Sequence, residues 1–208
     1  MKRALFLTAA AAAALSLTAC KKPTAGNTAD AGATMNPGQS APVNAAQDTM
    51  GAAVGATSAA TLGSHDTGAF VDGAGQGDMY EIQAAKIAEQ KSKSADVKAF
   101  AKMMVADHTA LEAEMKPLIA KAGKTAPTEL DQRRKGFLDN LNAASAKDFD
   151  KTYIDQQVAA HDEALSLMKG YADNGDDAGL KAAAAKTAPK VQAHLDKAKA
   201  IQAKLSAG

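Results

Sequence analysis

The sequence predicts an all-α fold, an up-down bundle of four long helices with one short extra helix between the second and third. Three observations lead there. Apolar residues recur at alternating spacings of four and three along several stretches, the period of an amphipathic helix. No window alternates Val, Ile, Thr and aromatics as a half-buried strand does. Much of the 46% hydrophobic fraction is alanine, the best helix former, and aromatics make up only 4%.

The first long helix is expected over Thr67 to Lys91. The run DGAGQG, Asp72 to Gly77, interrupts it with three glycines, each costing about 1 kcal/mol relative to alanine in a helix interior. With no strand before it and no Lys-Ser/Thr after it, this run fails the context test for a phosphate loop. The second helix has Ser94 as N-cap and Asp96 in its first turn. Val97, Ala101, Met104, His108, Leu111, Met115 and Leu118 form its seam; Pro117 should bend it and Gly123 close it. Thr128 with Asp131 reads as a capping box opening the short helix, Leu130 to about Ala143. Ser145 with Asp148 reads as another, opening a long helix to about Tyr171 with Ile154, Val158, His161, Leu165 and Met168 on one stripe. After the loop DNGD comes the last helix, with Leu180, Ala184, Thr187, Val191, His194, Ala198, Ile201 and Leu205 aligned and Pro189 as an interruption.

Ahead of the bundle the texture differs. Lys2 and Arg3 precede a short apolar run from Ala4 to Ala19, too short to span a bilayer, which needs about 20 apolar residues. Residues 1–19 read as an export signal. The closing LTAC, Leu17 to Cys20, resembles the bacterial lipoprotein box, which implies that the chain's single cysteine is acylated. By the same resemblance, Lys21 after the cysteine implies sorting to the outer membrane, facing the periplasm. Acyl chains stabilise anchoring by about 0.8 kcal/mol per buried CH₂. From Lys21 to Asp66 the chain is Ala, Gly, Thr, Asn, Pro and Ser with few large apolar residues, so residues 20–66 are expected to be a lipidated cysteine on a disordered tether. Its reach would be roughly 35–40 Å. Residues 67–208 are the expected bundle domain.

A net charge of +1 without a basic run argues against nucleic acid as partner. The membrane, through the lipid, is the one partner the sequence implies; it names no protein partner. His108, His161 and His194 each fall on the seam of a different long helix, where leucine would be ordinary. Counting helical rise places Glu81, His108 and His161 at one level, roughly 15–20 Å down the bundle, with His194 one or two turns lower. Two readings compete. In one, these imidazoles and Glu81 bind a transition metal, with Met104 available as a soft ligand. In the other they are core polar groups that fix helix register. A di-iron oxidase is disfavoured, because Val105, Val158 and Val191 stand where Glu-x-x-His needs a carboxylate. HDEAL is not a zinc-protease motif, and no nucleophilic Cys or Gly-x-Ser-x-Gly is present.

The segments DMYEIQAAKIAEQKS, VKAFAKMMVADHT, FDKTYIDQQVAAHDEAL and AAKTAPKVQAHLDKA together resemble the bacterial family catalogued as domain of unknown function 4142. The matching residues are Glu81, Asp107 with His108, Phe149, Asp150 and Tyr153 with His161, and Pro189 with His194, over about Phe70 to Leu205. Ser145 departs from the glycine expected there. The resemblance implies an exported, ferritin-like helical bundle and supplies no activity. The expectation is therefore a lipid-anchored envelope protein acting non-enzymatically in structure, interaction or stress tolerance, with a metal-binding or metal-dependent redox bundle as the rival.

Overall fold

The computed structural model describes residues 41–207. They form six α helices: α1 Ala41–Ala60, α2 Thr67–Lys91, α3 Ala95–Lys121, α4 Gln132–Ala143, α5 Phe149–Asn174 and α6 Ala178–Ala207, with a 3₁₀ turn at Leu62–Ser64. No strand occurs among the described residues, and no helix there is long and apolar enough to cross a membrane. The expected leader, Cys20 and the first part of the tether lie outside the described residues.

Local chemistry explains the boundaries. Asp66, Ser94 and Asp131 each accept a hydrogen bond from the backbone N–H three residues on, capping α2, α3 and α4. Asp177 does the same for Leu180 N at the start of α6, at 2.8 Å. At the end of α3, Gly123 takes φ of 68° and Lys124 N–H reaches back to the Ile119 carbonyl at 3.1 Å, a closure that favours glycine. Asp131, rather than Thr128, caps the short helix. The Asp72–Gly77 run is helical throughout, and Gly75 admits a close neighbour there: a Cβ on it would lie 2.7 Å from Pro127 Cδ. Pro117 and Pro189 both sit inside continuous helices.

α2 packs on α3, α3 on α6, α6 on α5 and α5 on α2. The seams expected on α3, α5 and α6 are the faces these contacts bury. Two apolar clusters result. One gathers Tyr80, Val97, Phe100, Met104, Tyr153 and Ile154 with Ala198 and Ile201. The other gathers Phe70, Val71, Met115, Leu167, Tyr171 and Leu180 with Val191. Along α3, α5 and α6, His108, His161 and His194 lie between the residues contributed to one cluster and those contributed to the other, while Glu81 on α2 sits at the edge of the first cluster, next to Tyr80.

The tether expected to run to Asp66 ends earlier, because residues 41–60 fold as α1 on α5 and α4. Its buried face is made of small and polar residues instead of large apolar ones. Gly55 and Ala59 are buried, and a Cβ on Gly51 would lie 2.8 Å from the Phe137 ring. Asp48 accepts from Asn140 at 2.8 Å and from Gln156 at 2.7 Å, and Arg133 donates to the Gly51 carbonyl at 3.2 Å. Close backbone approach and hydrogen bonding here replace the large apolar contacts whose absence suggests disorder.

Candidate metal centre

Four helices supply the polar layer. α2 carries Asp78 and Glu81, spaced i, i+3 and so on neighbouring positions of one face. α3 contributes Asp107 and His108, α5 His161 and α6 His194. Glu81 is 2% exposed, His108 4%, His161 0% and His194 5%, so these groups have left water and must find partners in the protein.

Each imidazole is tied down through one nitrogen. His108 Nδ1 lies 2.5 Å from Asp78 Oδ1 and 3.2 Å from Glu81 Oε2. His161 Nδ1 is 2.7 Å from the Gln157 carbonyl oxygen and 3.2 Å from Glu81 Oε1. His194 Nε2 is 2.9 Å from Asp107 Oδ2, whose other oxygen has Lys190 Nζ at 3.6 Å. Carboxylate and carbonyl oxygens only accept, so these ring nitrogens are the donors. The opposite nitrogens, His108 Nε2, His161 Nε2 and His194 Nδ1, are buried without any hydrogen-bond partner. Ring centroids stand 6.1, 5.7 and 5.6 Å apart pairwise, and one nitrogen per ring lies within 4.8 Å of one from each of the others.

The structure thus brings Glu81, His108, His161 and His194 together. His194 is level with the other two, correcting the lower position expected from helical rise. α5 continues past the expected end at Tyr171 to Asn174, which moves His161 further from the turn and narrows the gap to His194. Met104 belongs to the apolar cluster on one side of the layer. Asp78 escapes the seam analysis, although its spacing of three from Glu81 is a visible signal, and Asp107, seen only through the resemblance, becomes the partner of His194.

The electrostatics are those of a carboxylate cage around one cation. Burial disfavours the charged His108 ring, but Glu81, Asp78 and Asp107 outweigh it and lift its pKa to about 9. Burial also lowers the pKa of His194, which Asp107 opposes and the neighbouring imidazoles reinforce. Asp78 is pushed up by burial against the pull of His108. Chemically, three imidazole nitrogens and nearby carboxylate oxygens suit zinc, copper or iron. Metal-bound histidine ordinarily donates its second ring N–H to a carboxylate or carbonyl, and Asp78, Gln157 and Asp107 occupy those positions here.

No curated protein and no solved structure matches the chain. The family model described as domain of unknown function (DUF4142) matches residues 52–201, and the chain belongs to that family.

Proposed function

We propose that this protein binds a transition metal in a buried centre, with His108, His161 and His194 as ligands and Glu81 as an adjacent carboxylate donor. One observation carries the reading: each of the three rings brings a nitrogen within 4.8 Å of one on each of the others, and each has one buried nitrogen without a partner while its other nitrogen is held by an acceptor. Leaving such atoms unpaired costs about 1–3 kcal/mol each, and a bound cation removes that cost. The closed series of helix contacts supports an up-down, ferritin-like arrangement of α2, α3, α5 and α6 around this centre. The LTAC sequence supports export and anchoring of the chain to the envelope membrane through Cys20.

A second reading, in which the layer is a polar register device in a non-enzymatic envelope module, is favoured by the contacts that join His108 on α3 to Asp78 on α2 and His194 on α6 to Asp107 on α3. Elemental analysis of the purified protein after incubation with Cu, Zn, Fe or Mn separates the two. Metal binding predicts a stoichiometric ion that is lost in His108→Ala/His161→Ala, and a rise in Tm when metal is added. At a hundredfold excess over Kd the stabilisation would be about 2.7 kcal/mol. No retained metal, together with a loss of stability in the double variant, would establish the register reading instead.

A further inference from the structure

Three large apolar side chains are exposed among the described residues, and all three belong to α1: Val43 at 45%, Met50 at 72% and Val54 at 62%. Scattered singly, such residues are ordinary on a protein surface. At 3.6 residues per turn, however, these three fall within about 40° of one another and make one stripe along the helix. Gln47 and Thr57, exposed on its flanks, carry no charge. The single ionisable side chain of α1, Asp48, is turned inward to Asn140 and Gln156. α1 buries its other side on α4 and α5, so the stripe looks outward.

We infer that this stripe lies on the surface of the bilayer that holds the Cys20 lipid, an inference that rests on the anchor proposed above. Area argues against a second copy of the chain as occupant. The whole outer side of a 20-residue helix offers at most about 350 Å², less than half of the roughly 800 Å² per partner in a stable interface. The face also lacks the charges with which a protein partner is steered and selected. Lipid asks for neither area nor charge pairing. Affinity for a bilayer scales with the apolar surface buried in it, and three side chains supply little alone. The anchor supplies the rest: α1 starts about 20 residues after Cys20, a stretch that spans at most about 70 Å. Contact of the stripe with lipid is then intramolecular, at an effective concentration that makes a weak contact persist. With no charged side chain on the outer side of α1, no charge has to leave water for the contact.

The test uses the full chain purified from membranes and reconstituted in vesicles of phosphatidylethanolamine and phosphatidylglycerol. Acylation removes the only native thiol, so Met50→Cys places a single environment-sensitive fluorophore on the stripe. Lys186→Cys, on the exposed residue that pairs with Glu114 across α6 and α3, serves as the control. Spin-labelled lipid should quench the label at position 50 at least about threefold more than the label at 186, with emission shifted to the blue. Adding Val43→Asp and Val54→Asp should bring position 50 down to the control while the acylated chain stays on the vesicles. If that variant fails to fold, Val54→Ser should lower the quenching in the same direction. Intact mass reads acylation separately. Acylated protein with equal quenching at the two positions overturns this inference and leaves the anchor standing. Disulfide cross-linking between two Met50→Cys chains, without lipid quenching, assigns the face to a second copy and overturns it too. An unacylated Cys20 overturns the anchor and the inference together.

Discussion

Glu81→Gln has a distinctive signature in the metal-free protein. The Glu81 carboxylate is 2% exposed and stands 3.2 Å from His108 Nδ1 and 3.2 Å from His161 Nδ1. Burial works against a charged His108, yet Glu81 foremost, then Asp78 and Asp107, hold its pKa at about 9 against an ordinary 6.5. A base whose pKa rises on folding contributes stability that is complete below the unfolded value and is lost as pH climbs through the folded one. The difference from 6.5 to about 9 is worth about 3 kcal/mol. For a chain of this size each kcal/mol moves Tm by about 2–4 °C, so the metal-free protein should lose roughly 6–12 °C between about pH 6.5 and pH 9.5. In Glu81→Gln the leading attraction for the proton is gone, and the profile should be shallower than that of the wild type. Circular-dichroism melts in EDTA at half-unit steps of pH measure both profiles. Lysine titration near the upper limit is common to the two proteins and cancels in their difference. A flat or rising wild-type profile, or parallel profiles for the two proteins, would refute the carboxylate-cage account.

Other expectations follow from the same contacts. Asp107→Asn leaves the fold intact but removes the anionic partner of His194 Nε2, and metal affinity measured by chelator competition should fall about 10–100-fold. Gly55→Leu should detach α1, because even a Cβ would overlap Glu163 Oε2 and Arg133 Nη1, which join in the two-stranded Arg133–Glu163 ion pair. A loss of about 1–3 kcal/mol, with hydrogen exchange rising first in residues 41–60, is expected, and unchanged protection there would contradict the packing. Cys20→Ser should abolish labelling by a clickable fatty acid and release the protein from membranes; persistent labelling would remove the lipobox reading.

The sequence is most legible where burial is accomplished by large apolar side chains. Met104, Met115, Ile154, Met168, Leu180 and Ile201 repeat at helical spacing, and their seams are the faces buried in α3, α5 and α6. α1 is hidden from that signal because its inner face is Gly51, Gly55 and Ala59 with Asn44 and Asp48, a composition shared with flexible linkers. What distinguishes it from a linker is non-local: Asn140 on α4 and Gln156 on α5 meet Asp48, partners far away in sequence. The candidate centre divides in the same way. Three imidazoles on three seams are visible as exceptions to an apolar pattern. Their common level is not, because rise along each helix is local, whereas the offset between helices depends on where α5 ends and how α6 begins. Asp78 lies at the edge of its face and becomes meaningful only when His108 is seen opposite it.

The central claim is that His108, His161 and His194 turn their free nitrogens to one cation. Zinc-edge anomalous scattering from crystals of the zinc-loaded protein tests it most directly. One strong peak is expected about 2.0–2.1 Å from His108 Nε2, His161 Nε2 and His194 Nδ1, a zinc–nitrogen bond length. Peaks confined to surface carboxylates, with none among the three imidazoles, would contradict it.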